Sequence, residues 1–182
     1  MKRSWVFVFG MLLLATFASG QNNRATFSTG TVNNFSDNSG AGQARLTRVD
    51  NGISLVIQTS NLTPGHVYSV WWIVEATGGE IIRNATGIVA GGNGTAGLAA
   101  HLATGITPPV DNVSILEGGG VDFDNPRTAL CFIVIHDHGP AVPDLIPRMM
   151  HTFTVGCSVA SGGDGSGNNY DCVDWQYAVL AP

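Results

Sequence analysis

Ala44-Arg45-Leu46-Thr47-Arg48-Val49-Asp50-Asn51-Gly52-Ile53-Ser54-Leu55-Val56-Ile57-Gln58-Thr59 is the stretch that decides the fold. Apolar and polar residues alternate on both sides of Asp50-Asn51-Gly52, and a period of two belongs to strands rather than helices. The Asn51-Gly52 pair suits a tight hairpin turn that needs positive φ. The same grammar recurs along the chain. Leu62-Thr63-Pro64-Gly65 turns into a strand from Val67 to Glu75, and Ile81–Ala90 and Thr95–Leu102 flank the turn Gly91-Gly92-Asn93-Gly94. Ile106–Arg127 reads as a long loop. Ala129–Ile135 is a continuous apolar run, as expected of a central strand covered on both faces. After it, Pro140–Pro147 reads as a loop, Thr152–Val155 as a short strand and Trp175–Leu180 as a closing strand. No segment carries a long helical period. The expectation is an all-β chain: a single antiparallel Greek-key sandwich or flattened barrel of about eight strands, occupying residues 44–182.

Residues 1–20 read as a signal peptide. Lys2 and Arg3 precede an apolar stretch from Val6 to Phe17, and Ala18-Ser19-Gly20 offers small residues for cleavage. The stretch is too short to span a bilayer comfortably, and no later run is long and apolar enough, so no transmembrane segment is expected after cleavage. The destination is secreted, periplasmic or extracellular, an oxidising setting. Residues 21–43 are polar and rich in Gly, Ser and Asn, and read as a flexible segment with a possible edge strand near Ala25 to Thr31.

Composition narrows the function classes. The chain has 8 Lys and Arg against 13 Asp and Glu, and its one lysine, Lys2, lies in the signal segment. Without a basic stripe, nucleic acid is not an expected partner. The absence of lysine removes Ser-Lys chemistry, and there is no Gly-x-Ser-x-Gly elbow. Glu75, Glu80 and Glu117 are the only glutamates available to a glycosidase pair, and nothing places two carboxylates at a working separation. Asn-x-Ser/Thr triplets at Asn34, Asn61, Asn84, Asn93 and Asn112 are glycan acceptors only if the source is eukaryotic.

Several residue sets carry candidate chemistry. Cys157 and Cys172 bracket a Gly-rich segment and are expected to form a disulfide, closing a loop at a gain of roughly 3 kcal/mol. Cys131 sits in the apolar run, where a buried thiol is expected; a bridge to a second chain or a metal is the alternative. His136-Asp137-His138 ends that run. Residues two apart share a strand face, so both imidazoles project together and could begin a copper or zinc site. A third ligand would come from His66, His101, His151 or a carboxylate. The alternative is that the histidines cap the strand and pin the Gly139-Pro140 loop. Asp122-Phe123-Asp124-Asn125 and Gly163–Asn168 are oxygen-rich enough for calcium, but the second lacks a closing acid, since Trp175 falls at that position. Such residues also gather in turns for local reasons. Trp71-Trp72 places its two indoles on opposite faces. One is core, and the other packs under a loop or offers a ligand-binding platform for sugars.

Gly52 to Val74, with Asn61-Leu62-Thr63-Pro64-Gly65 between two strands, resembles the early hairpin of Cu/Zn superoxide dismutases and the related chordin-type (CHRD) sandwich domains. In the dismutases that turn leads into a copper-binding His-x-His pair. Here Val70-Trp71-Trp72 stands in its place, so the resemblance implies a Greek-key sandwich without dismutase activity. Over most of the mature length the chain also resembles a group of exported bacterial β proteins with no activity to transfer. The shared features are Leu62-x-Pro64-Gly65-x-x-Tyr68-x-x-Trp71-Trp72, His138-Gly139-Pro140-Ala141-x-Pro143-Asp144 and the terminal cysteine pair.

The reading that follows is an exported, non-catalytic β-sandwich acting as a binding or structural module, with one disulfide and no required cofactor. The alternatives are a copper or zinc protein at His136 and His138, redox-active or not, and a carbohydrate-binding module using Trp71 or Trp72, with calcium as the less favoured ion.

Overall fold

A computed structural model describes residues 24–105 and 123–182. The chain forms β1 (Thr26–Asn34), β2 (Gly40–Val49), β3 (Gly52–Thr59), β4 (His66–Ala76), β5 (Gly79–Val89), β6 (Ala96–Ala103), β7 (Cys131–Pro140), α1 (Ile146–His151) and β8 (Val173–Leu180). All strand pairs are antiparallel, in the order β5-β4-β7-β8-β1-β2-β3-β6. The terminal strands β5 and β6 approach one another, so the 8-stranded sheet is nearly closed. After β6 the chain crosses over so that β7 lies beside β4, which is the Greek-key return. The all-β expectation holds. The proposed signal segment and most of the 106–127 loop lie outside the described residues.

The hairpin that suggested the fold closes differently from the expected turn. Val49 pairs with Gly52, so Asp50 and Asn51 make the turn, and neither has positive φ. Gly52 is needed for space: a Cβ there would stand 2.4 Å from the Leu102 carbonyl oxygen on β6. The segment 21–43 also differs from its reading. β1 pairs with β2 from Thr26↔Arg48 to Asn33↔Gly40 and reaches β8 at Asn33 and Asn34, which puts it inside the sheet rather than at an edge. Only Val32 of β1 is buried, so its sequence lacks the alternation that marks a strand. The short strand expected at Thr152–Val155 is absent. α1 ends just before it, and six residues with a proline second among them are too few to show a helical period.

Alternate residues of the strands fill the barrel. Leu46, Ile53, Leu55, Ile57, Trp72 and Ile133 are among its fully buried side chains. Two polar side chains tie the barrel across its width. Arg48 donates to the carbonyls of Pro126 (3.1 Å), Ala129 (2.7 Å) and Leu180 (2.8 Å). Gln176 donates to the Ser60 carbonyl at 2.7 Å and accepts from the Thr59 hydroxyl at 2.6 Å. Cys131 is a free, fully buried thiol near Arg48, and burial pushes it up from the usual thiol range.

β4 and β7 are buried on both faces. Their inner faces belong to the barrel, while the segment 141–172 crosses their outer faces. Met149 of α1 and Val155 pack there against Val67 of β4. This second layer creates the site described next.

Candidate functional site

His136 and His138 project together from the outer face of β7, as the strand period requires. Their ring centroids are 5.0 Å apart and nearly perpendicular. The covering segment buries them to 3% and 0% exposure. The Cys157–Cys172 disulfide forms as expected and lies against the pair. Taking one ligand atom from each of His136, His138, Cys157 and Cys172, all four lie within 4.8 Å of one another. This buried His/Cys group has a composition that can hold a metal ion.

The two imidazoles have different surroundings. Nδ1 of His138 is 2.8 Å from the Val155 carbonyl, which can only accept, so the proton sits on Nδ1. Nε2 then accepts from the Ser69 hydroxyl at 2.8 Å, and that hydroxyl accepts in turn from Trp71 Nε1 at 2.8 Å. Burial, with the neighbouring His136 adding to it, pushes His138 down to about 4, so the ring is neutral near pH 7. His138 is fully committed within the protein.

His136 is not. Its Nδ1 lies 2.9 Å from Asp174 Oδ1 on β8, a carboxylate that fixes the proton on Nδ1. Nε2 is left as a buried nitrogen with no hydrogen-bond partner among the described residues. A buried polar atom without a partner costs about 1–3 kcal/mol, which makes it a pointer to a ligand. The ring stacks on Phe153 with centroids 4.0 Å apart. It opens on a cleft of about 370 Å³ lined also by Phe153, Ser161, Cys157, Cys172 and Asp174.

The third ligands expected from the sequence are engaged elsewhere. His66 binds Asp137 at 3.0 Å, His101 meets Ser54 at 2.9 Å and His151 meets Asn84 at 3.2 Å. Asp137 faces away from the imidazoles and is fully buried. It also accepts from the Gly139 N–H at 2.7 Å and from the Tyr170 hydroxyl at 3.2 Å. Burial and the Asp137 charge push Tyr170 up to about 12. This cluster pins the turn after β7, where Gly139 has φ 82° and a Cβ would strike the Tyr170 ring at 2.3 Å.

Three further expectations meet the structure here. Trp71 and Trp72 are each 1% exposed, so neither offers a face to a ligand. Trp72 is barrel core, and Trp71 lies beneath the covering segment, edge-on to Phe153 at 5.5 Å. In the proposed calcium loop, the Asp164 carboxylate is taken up by the Ser166 N–H and hydroxyl and by Arg148. The other loop begins at Asp122, outside the described residues, and its Asp124 accepts from the Thr77 N–H at 3.4 Å.

Asp174 and Ser69, which define the states of the two imidazoles, escaped the sequence reading because they sit on β8 and β4, 38 and 69 residues away. The one available signal was that Asp174 falls two residues after Cys172. A comparison of the sequence with protein-family models and with curated proteins finds no match.

Proposed function

We propose that this protein is an exported, non-catalytic binding module whose ligand is a transition metal, copper or zinc, at the His136/His138/Cys157/Cys172 group. The observation that carries the reading is the state of His136: a buried, partnerless Nε2 beside sulfur, with its proton held on Nδ1 by Asp174. Metal-ligating imidazoles are oriented in this way by a carboxylate that accepts from the ring N–H turned away from the metal. Nitrogen and thiolate-sulfur donors suit zinc and copper rather than calcium or magnesium, and the two cysteines supply thiolates once their disulfide is opened. Export is supported by the apolar N-terminal stretch and by the disulfide. The test is elemental analysis of folded protein after reconstitution and desalting, under both oxidising and reducing conditions. About one equivalent of metal, lost in a folded His136→Ala variant, is the expected result. Metal-free protein under both conditions overturns it.

One observation favours a second reading, a carbohydrate-binding module. Phe35, 44% exposed, rests against Tyr177 and lines an open groove with Trp175, Asn34, Asp37 and Asn61. An aromatic face rimmed by short polar side chains suits a sugar ring. Titration with neutral oligosaccharides tests it: binding lost in Phe35→Ala supports this reading, and no binding by the native protein removes it.

A further inference from the structure

The disulfide stands where two metal ligands would have to be. We propose that the Cys157–Cys172 bond gates the metal centre, an inference that rests on the reading above. As a disulfide the group offers one ready donor, His136; opened to two thiols, it becomes a four-ligand site for zinc or copper(I).

The thiolate is the sulfur form that binds zinc and copper(I), and a disulfide has none to give. In the oxidised protein His138 is also spent, on Val155 and Ser69. That leaves Nε2 of His136, and a single neutral nitrogen does not hold a metal against water.

Opening the bond changes the inventory without needing a new fold. A tetrahedral centre with bonds of about 2.0–2.3 Å sets its ligand atoms roughly 3.3–3.8 Å apart. The four atoms already lie within 4.8 Å, so no nitrogen–sulfur pair has to close by much more than about 1 Å, while the two sulfurs, released from their bond, spread apart to the same spacing. The sulfur of Cys157 is 3.8 Å from Nδ1 of His138. If Nδ1 turns to the metal, its proton passes to Nε2. The Ser69 hydroxyl can accept from that nitrogen as well as donate to it, so the switch leaves this contact intact.

The backbone holds the two cysteines close without the S–S bond. Cys157 forms a parallel bridge with Tyr170, and the Ser158 N–H donates to the Tyr170 carbonyl at 2.7 Å. The Gly163 N–H donates to the Ser158 carbonyl at 2.9 Å, and Gly163 packs so tightly on Cys157 that a Cβ would stand 2.3 Å from the Cys157 Cβ.

The cleft supplies the route in. Cys172 is partly exposed there, while Cys157 is buried. The reductant is a dithiol. One of its thiolates attacks the Cys172 sulfur, the S–S bond breaks, and Cys157 leaves as thiolate. The second thiol of the reductant then attacks the mixed disulfide and releases Cys172. The cystine gains two electrons and two protons, and the dithiol becomes its own disulfide. Binding of zinc displaces both protons from the cysteine thiols.

The test is an anaerobic zinc titration against a chromophoric chelator, with the full mature chain either oxidised or reduced by a dithiol that is then removed. The expected result is one zinc bound by the reduced protein at least 100-fold more tightly than by the oxidised protein. Affinity should fall at least tenfold in His136→Ala/His138→Ala. Equal zinc affinity in both redox states overturns the gate but leaves the metal reading standing. No zinc in either state overturns both. Tight binding that survives loss of both histidines assigns the metal to the thiols alone and overturns the four-ligand site. Near-UV circular dichroism covers unfolding on reduction: recovery of the native spectrum with zinc supports the proposal, and failure to recover it overturns the proposal.

Discussion

On the inner face of β7, Cys131, Ile133 and Ile135 are buried in the barrel among other apolar side chains. On the outer face of the same strand, His136 and His138 are buried as deeply, but among a serine hydroxyl, a carboxylate and a disulfide. The covering segment 141–172 is what makes the outer face an interior. Burying apolar groups needs only shape, whereas burying imidazoles needs a partner for each nitrogen. Three of the four ring nitrogens have one. The difference between the faces is therefore a difference between generic core and specified site, and Nε2 of His136 is where specification is incomplete.

The comparison can be tested by substitution. The largest effect belongs to the inner face: Trp72→Ala is expected to cost about 3–5 kcal/mol, read as the shift in urea midpoint. A loss under 1 kcal/mol would mean that the barrel interior is not the dominant core.

The outer face should make the fold acid-sensitive. His138 is held neutral down to about pH 4, whereas in the unfolded chain it protonates near 6.5. Between these values the unfolded chain binds more protons, so stability rises with pH across the window and is lost as pH falls through it. The loss approaches roughly 3 kcal/mol by pH 4. An NMR titration of the His138 ring checks the cause, and a midpoint near 6.5 would remove it.

Ser69→Ala takes the partner from both His138 Nε2 and Trp71 Nε1, and should cost about 1–3 kcal/mol. Stability unchanged in Ser69→Ala would erase the contrast between faces. Asp174→Asn should have the smallest effect on stability, about 0–1 kcal/mol, because the carboxylate side chain is 45% exposed. The same change should weaken zinc binding by the reduced protein about 10–100-fold. Unchanged affinity would remove Asp174 from its orienting role.

The legible part of this molecule was the part governed by local period. Alternation along β2, β3 and β6 marked the strands, and the spacing of His136 and His138 put the rings on one face. The Cys157–Cys172 pair was legible because one segment separates its halves. What stayed hidden depends on chain separation or on too little burial. β1 buries one residue, so it lacked a signature despite pairing along its length. Trp71 looked exposable because no local pattern reveals that 141–172 folds back over β4. The partners of the two imidazoles come from strands brought together only by the Greek-key crossing.

The position of β8 has a consequence for how the chain matures. β8 follows every other described strand in the chain, yet it sits between β7 and β1, and Arg48 reaches across to the Leu180 carbonyl. No shorter nascent chain can form the complete sheet. The facing edges of β7 and β1 therefore stay unpaired until β8 has been made, and the sheet cannot be completed before then.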